Sequence, residues 1–155
     1  MSIFLKTARI KSEWTDYNGH MNLSYYILLF DLAWEVMLQQ FNIGEDSAKN
    51  EKKTTFAVES HTTYDREVGG GEEVDVNLLF IDHDNKRIVK KLEMIHREKK
   101  HRLATSEILS VYVDLKIRKV AEFEKERLLL IDEYIELNKK KFDPGSLTLI
   151  SRLKK

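Results

Sequence analysis

The chain has 155 residues, of which 42% are apolar and 34% are charged. This composition is typical of one globular domain and argues against both a disordered chain and a membrane-embedded one. Lysine plus arginine and aspartate plus glutamate each number 26, so the net charge is zero and no nucleic-acid or anionic-membrane partner is expected. Cysteine is absent, which excludes disulfides, thiolate metal sites and a cysteine nucleophile.

The sequence shows no targeting or membrane segment. The apolar run within residues 1–7 is too short for a signal peptide. The longest apolar run, residues 25–30, is far below the ~18–20 residues that a membrane span needs. We therefore expect a cytoplasmic protein.

The first predicted elements are a strand over residues 4–15, a polar loop and a long helix over residues 22–40. We expect Asn22 or Ser24 to cap the start of the helix and Gly44 to follow its end. Further leucines widen its apolar stripe, so protein should surround the helix on most sides. The stripe itself consists of apolar side chains at three- and four-residue spacings, namely Tyr26, Leu29, Phe30, Ala33, Val36 and Met37.

After the helix the apolar pattern changes to the two-residue period of β-strands. Four more strands are predicted, over residues 56–68, 74–80, 88–97 and 103–119. Antiparallel strands in a β-α-β-β-β-β order would wrap around the long helix, which is an α+β architecture. Residues 121–142 predict a C-terminal helix with lysines near its end, where positive charge is favourable. We expect residues 1–120 to form the main domain and residues 121–155 to be its helical extension.

The densest polar cluster lies directly before the long helix and consists of Asp16, Asn18, His20 and Asn22. Free amide groups and the positive dipole at a helix start stabilise a developing oxyanion. A carboxylate beside them can act on an acyl group as a base or as a nucleophile. The alternative is a solvated loop whose polar side chains only cap the helix.

This loop also resembles a known enzyme family. Residues 16–22, Asp-Tyr-Asn-Gly-His-Met-Asn, followed by Tyr25-Tyr26 and Phe30-Asp31, look like the start of a hotdog-fold thioesterase of the 4-hydroxybenzoyl-CoA type. Within that type the sequence is more similar to the betainyl-CoA thioesterases associated with carnitine degradation. The segments that resemble this group, in order along the chain, are residues 14–22, 59–67, 84–87, 104–107 and 113–114.

The resemblance implies a hotdog fold and hydrolysis of an acyl-CoA thioester by a carboxylate, without a metal or an organic cofactor. It implies that Asp16 is the catalytic carboxylate, and that Asn18 and His20 orient the attacking water, Asp16 or the carbonyl. The more distant plant acyl-carrier-protein thioesterases carry an Asp-x-Asn-x-His loop and a Tyr-Arg-Arg-Glu strand. Glu67 matches their glutamate, although Asp65 stands where they carry arginine.

The strand predicted around residues 59–67 is polar on both of its faces, with Glu59, His61 and Glu67 on one face. Such a strand suits the lining of a solvent-filled cleft or a dimer interface; the alternative is an exposed edge strand. His61 is either a substrate contact or an ordinary surface histidine. The residues that we expect to bind substrate are Gly19, Asn22, Tyr25, Glu59 and His61.

Three further features each have more than one interpretation. The basic run over residues 97–102 would bind the phosphates of coenzyme A or form a solvated turn. His83 and His101 lie in turns and should be solvated, whereas His96 falls on the apolar side of its strand and should be a core histidine. An aromatic cluster would form a cation–π surface for a trimethylammonium group or simply pack helix against sheet; its members are Trp14, Tyr17, Tyr25 and Tyr26.

The prediction is therefore a single α+β hotdog domain that hydrolyses a small acyl-CoA, with betainyl-CoA the first candidate. One alternative is a hotdog acyl-CoA hydratase or dehydratase. Another is a non-catalytic acyl-binding protein. Because the predicted sheet has an open edge and hotdog domains pair, we expect a homodimer or a dimer of dimers.

Overall fold

A computed structural model describes residues 2–138 and 144–155. Its elements in chain order are β1 (Ile3–Arg9), α1 (Leu23–Gln40), α2 (Glu45–Asn50), β2 (Lys53–Tyr64), β3 (Glu73–His83), β4 (Arg87–His96), β5 (Arg102–Asp114), β6 (Lys119–Val120) and α3 (Lys125–Asn138). All strand pairs are antiparallel, in the order β1-β3-β4-β5-β2, and β6 pairs with β5. This confirms the predicted α+β architecture. Within the described ranges no helix has the length and apolar character needed to cross a bilayer.

The start of α1 agrees with the prediction, but the segment after it does not. Asn22 is the N-cap, and its Oδ1 accepts a hydrogen bond from the Ser24 amide at 3.1 Å. The helix ends at Gln40, and Gly44 is the N-cap of the short helix α2 instead of the stop of α1. No pattern in the sequence predicted α2, because its six residues hold no apolar periodicity.

Only one side of α1 packs against the sheet. The buried residues on that side are Tyr26, Leu29, Phe30, Ala33, Trp34, Met37 and Leu38. On the other side five apolar side chains are 38–62% exposed, and these are Leu23, Ile27, Leu28, Leu32 and Val36. The expectation that protein surrounds this helix is therefore wrong for a single chain, which leaves an apolar helix face uncovered.

Three predicted strands are longer than the strands observed. β1 ends at Arg9, and Ser12–Trp14 form a 3₁₀ turn before the polar loop. β2 ends at Tyr64 and has a β-bulge between Ala57 and Glu59. β5 ends at Asp114 and turns back into β6. Because β2 ends early, the residues that follow it lie in a loop that approaches the start of α1.

The helix α3 packs on the same core as the sheet, whereas the segment around Leu149 packs on the outer face of the sheet. Ile131 of α3 is fully buried in that core, and the Arg127 guanidinium, also buried, contacts Glu51 and the Tyr112 hydroxyl. Residues 148 and 149 donate their amides to the buried Glu107 carboxylate at 2.7 and 2.8 Å. The lysine cluster at residues 139–141 lies outside the described residues, and the division at residue 120 stays a prediction.

If α3 is part of the cooperative core, Ile131→Ala should lower the free energy of unfolding by about 2–5 kcal/mol, because it removes a buried aliphatic side chain. The measurement is urea denaturation of the whole chain. Leu129→Ala is the matched control on the same helix, where the side chain is 66% exposed, and its effect should stay within about 0.5 kcal/mol. Equal midpoints for the two variants would show that α3 unfolds separately.

Candidate active site

A tight loop holds Asp16 directly before α1. The His20 carbonyl accepts the Asp16 amide at 3.2 Å, and the Asp16 carbonyl accepts the Gly19 amide at 3.0 Å. Gly19 has a φ of +83°, a left-handed conformation that glycine adopts without strain. Thr15 and Met21 close the loop through an isolated β-bridge. Gly19, predicted to bind substrate, thus has a backbone role in shaping this loop.

Two donors hold the Asp16 carboxylate. Its Oδ1 accepts the Asn18 backbone amide at 2.9 Å, and its Oδ2 accepts the Asn22 side-chain amide at 3.2 Å. The Asn18 amide first, and then Asn22 and the nearby His20, hold the pKa of Asp16 below its ordinary value of 3.8. Asp16 is therefore ionised at neutral pH.

The Asn22 side chain connects this carboxylate to the first turn of α1. Its amide nitrogen donates to Asp16, while its Oδ1 accepts the Ser24 amide and, at 2.7 Å, the Ser24 hydroxyl. The Leu23 amide, at the first position of the helix, makes no hydrogen bond within residues 2–138 and 144–155. It lies at the positive end of the helix dipole and can donate to a carbonyl oxygen that gains negative charge.

His20 and Glu67 complete the cluster. His20 Nε2 lies 3.1 Å from Glu67 Oε2, and the loop that carries Glu67 is attached to the Asp16 loop because the Met21 amide donates to the Val68 carbonyl at 2.8 Å. All four predicted catalytic residues line one open pocket of about 450 Å³. They share it with seven other residues, among them Asn22, Leu23, Tyr26 and Tyr64. Within the described ranges no group of three or more histidine or carboxylate side chains is placed to hold a metal ion.

Two of the predicted substrate-binding residues lie away from this pocket. The Glu59 carboxylate pairs with Arg152 at 3.1 Å, and His61 lies opposite Glu107 in the sheet register. Glu107 binds the C-terminal segment on the outer face of the sheet. Because β2 ends at Tyr64, Glu67 leaves the strand face that Glu59 and His61 share. Within one chain, the structure therefore does not bring these two residues to Asp16.

The aromatic residues near the loop mostly pack on one another. The Trp14 and Tyr25 rings stack at 5.5 Å with an interplanar angle of 16°, and Lys11 Nζ lies 5.3 Å from the Trp14 ring centroid. Tyr26 is buried, and its hydroxyl donates to the Arg66 carbonyl at 3.2 Å. Tyr17 is 97% exposed. This geometry favours the packing interpretation, because these rings do not face a common space.

Carboxylates neutralise much of the basic run at residues 97–102. Arg97 pairs with Glu73 at 3.7 Å, Lys99 with Glu72 at 3.1 Å and Arg102 with Asp65 at 2.7 Å. This pairing favours a structural turn over a phosphate site.

The structure confirms the prediction for His96 and corrects the one for His83. His96 is buried, and its Nε2 lies 3.1 Å from Glu72 Oε1. His83 is half-buried instead of solvated, because its Nε2 lies 2.5 Å from Asp132 Oδ1 on α3. His101 is also half-buried, with its ring 5.4 Å from that of His96.

Sequence reasoning missed a buried lysine, Lys90, although the sequence carries a signal for it. It shares its strand parity with four buried residues of β4, which are Ile88, Leu92, Met94 and His96. A lysine on the apolar face of a strand is unusual, because burying an ammonium group is costly unless it is paired.

Comparisons with known proteins decide the family. The family model of the thioesterase-like superfamily matches residues 10–131. The chain belongs to this superfamily. It is 28% identical over 127 residues to a betainyl-CoA thioesterase from Pseudomonas aeruginosa, a match that covers 82% of this chain and 80% of that protein.

Solved structures support the fold. A putative thioesterase from Pseudomonas putida KT2440 superposes with a TM-score of 0.80 at 23% identity, over 100% of this chain and 97% of that one. A Staphylococcus aureus protein solved in complex with CoA has the same TM-score and identity, with 92% and 89% of the two chains covered. The predicted hotdog fold is confirmed, and the protein is a thioester hydrolase.

If Asn22 both caps α1 and supports the ionised Asp16, Asn22→Ala should raise the pKa of Asp16 and lower the stability by about 0.5–2 kcal/mol. NMR titration of the Asp16 carboxyl carbon and urea denaturation measure the two effects. Because the pKa is lowered in the folded state, the stability due to Asp16 exists above its unfolded pKa and is lost as the pH falls through the folded value.

Asn22→Asp is the control, since aspartate keeps the capping oxygen but adds a negative charge beside Asp16. Asn22→Asp should raise the pKa of Asp16 but lower the stability by less than Asn22→Ala does. An Asp16 pKa that is the same in the wild type and in Asn22→Ala would contradict the assigned hydrogen bond.

Proposed function

We propose that the protein hydrolyses acyl-CoA thioesters and that Asp16 is its catalytic carboxylate. The observation that carries the proposal is that an ionised Asp16 and the Leu23 amide, which lacks a hydrogen-bond partner among the described residues, line the same pocket at the start of α1. The carboxylate supplies the negative group that attacks or deprotonates. The amide and the helix dipole stabilise the carbonyl oxygen as it becomes an oxyanion.

Asp16 can act in two ways. As a nucleophile, its oxygen attacks the thioester carbon, the C–S bond breaks, the CoA thiolate leaves, and water hydrolyses the resulting anhydride. As a general base, it takes a proton from the water that attacks the same carbon. The lowered pKa of Asp16 keeps the group ionised at neutral pH, which both routes require.

The remaining predicted catalytic residues support this group. The Asn18 amide fixes the direction of the Asp16 carboxylate. His20, beside the carboxylate, is positioned to orient the water or the carbonyl, and Glu67 holds the His20 ring through the contact at 3.1 Å. In this proposal Glu67 acts through His20, and it is a positioning residue.

For the substrate we propose a small polar acyl group on coenzyme A. Betainyl-CoA is the first compound to test, because the chain is similar to a betainyl-CoA thioesterase over most of its length. The CoA complex of the S. aureus structural neighbour supports coenzyme A as the carrier. The packed aromatic rings near Asp16 add no support for a cationic acyl group.

If Asp16 is the base or nucleophile, Asp16→Asn should lower kcat by at least about 10²-fold on a panel of acyl-CoAs, with a much smaller change in KM. Thiol release measures the turnover, and a thermal midpoint checks the fold. Asparagine can still accept the Asn18 amide, so a residue that only supports the loop would tolerate the change. A folded Asp16→Asn with wild-type turnover would remove Asp16 from the mechanism.

Two carboxamide variants serve as comparisons in the same assay. Glu67→Gln should lower kcat by less than Asp16→Asn, because Glu67 acts through His20. Glu122→Gln replaces an exposed carboxylate outside the pocket and should leave turnover unchanged. Addition of water to an unsaturated acyl-CoA without release of thiol would favour a hydratase instead.

We also propose that the protein is a homodimer formed through β2 and the open face of α1. β2 is the last strand of the main sheet order and has no buried residue, although Phe56 and Val58 are apolar. A long exposed edge strand is prone to pair with another chain. Antiparallel pairing of two β2 strands about a two-fold axis would give both chains the same contact. A dimer of dimers and a cytoplasmic location stay predictions.

If the proposed dimer forms, the mass of the protein measured by sedimentation at micromolar concentration should be at least that of two chains. Leu32→Asp, which places a charge on the open face of α1, should shift the mass toward one chain. The matched control is Leu129→Asp on α3, an exposed leucine away from the proposed interface. A wild-type mass of one chain would contradict the proposal.

A further inference from the structure

A second cavity, of about 420 Å³, lies between α1 and the inner faces of β2, β4 and β5. It begins beside Ser24, whose hydroxyl donates to the Asn22 cap at the edge of the Asp16 pocket. It extends along the helix past Asp31 to Leu38, 14 residues further, which is about 21 Å at 1.5 Å per residue. An acyl group whose thioester carbonyl lies at the start of α1 can therefore extend into this cavity.

Lys90 lines the cavity and is 3% exposed. Its Nζ donates to Ser110 Oγ at 2.7 Å and lies 4.6 Å from the Trp34 ring centroid. An ammonium group has three N–H donors. Two of them have no acceptor among the described residues.

Trp34 supplies a further unpaired donor. Its indole Nε1 is buried and has no hydrogen-bond partner within residues 2–138 and 144–155. Buried donors without acceptors are unfavourable and rare in folded proteins. The groups left unpaired around Lys90 are thus donors, so a complementary ligand must bring acceptors.

We propose that Lys90 is a specificity-determining residue that selects acyl groups whose far end carries an oxygen acceptor, with a carboxylate preferred. This inference rests on the proposed thioesterase function. Lys90 takes no part in the bond cleavage; it donates to the distal oxygen while Asp16 acts at the thioester.

The charges around the cavity support this selection. Burial lowers the pKa of Lys90 to about 7, and Asp31 on α1 opposes the shift. The side chains that β2 and β5 contribute to the cavity, such as Ser60, Ser106 and Ser110, are uncharged. A carboxylate would stabilise the ammonium form of Lys90, whereas a trimethylammonium group offers no acceptor and repels it.

The test compares kcat/KM for three CoA thioesters: glutaryl-CoA, its neutral isostere 5-methylhexanoyl-CoA, and betainyl-CoA. The wild type should prefer glutaryl-CoA over the isostere by at least about tenfold, which is about 1.4 kcal/mol. Lys90→Met keeps the length of the side chain but removes the donors, so it should lose this preference and retain turnover of the isostere. Lys91→Met is the matched control, since the next residue of a strand points to the opposite face.

A pH profile separates this role from a structural one. Because kcat/KM reports the ionisation of the free enzyme, its value for glutaryl-CoA should fall as the pH rises through about 7, where Lys90 loses its proton. The value for the isostere should not fall in that range. This profile needs only the wild type, so it decides the question even if Lys90→Met does not fold.

Equal kcat/KM values for glutaryl-CoA and the isostere in the wild type would overturn the role of Lys90 and leave the thioesterase proposal intact. A higher kcat/KM for betainyl-CoA than for glutaryl-CoA would also overturn the role of Lys90 and leave the thioesterase proposal intact. Hydrolysis of none of the three thioesters would overturn the proposed function, and this inference with it.

Discussion

The hydrogen bonds of one side chain, Asn22, connect the start of α1 to the carboxylate beside it. The Asn22 side-chain oxygen caps the start of the helix by accepting the Ser24 amide, and the Asn22 side-chain nitrogen donates to the Asp16 carboxylate. A displacement of the helix start would therefore move Asp16 as well. Because the Leu23 amide lies between these contacts in the chain, this amide and the carboxylate keep a fixed relation to one another, and the proposed attack on a thioester would require such a relation.

The two sides of α1 have different surroundings. This asymmetry leaves one helix face open beside the edge strand β2. One side fills the core through Phe30, Ala33 and Met37, which are fully buried. The other side leaves leucines and an isoleucine open beside the edge strand β2, so a second chain would cover both at once. The cavity that contains Lys90 lies between the helix and the sheet, where polar residues of β2 and β5 replace the apolar packing found elsewhere.

The sequence predicted the features that depend on local pattern. The helix period placed the start of α1 to within one residue, and the spacing of Asp16, Asn18, His20 and Asn22 before it indicated the candidate site. The incorrect predictions concern features that no local sequence pattern shows. The end of β2 at Tyr64 separates Glu59 and His61 from Glu67, because residues beyond the strand no longer follow its alternation of faces.

Other features depend on contacts between residues that are distant in sequence. His83, predicted to lie in a turn, is the last residue of β3, and its contact is with Asp132, which is 49 positions away in sequence, so turn propensity could not show it. The burial of Lys90, in contrast, can be inferred from local sequence, because Lys90 shares its strand parity with buried apolar residues. The two ionisable groups near α1 are also perturbed differently: hydrogen bonds keep Asp16 charged, while burial drives Lys90 toward the neutral form. Asp16 lies in the loop before α1 and Lys90 lies on β4, so under the proposals above the thioester and the far end of the acyl group would contact different elements of the fold.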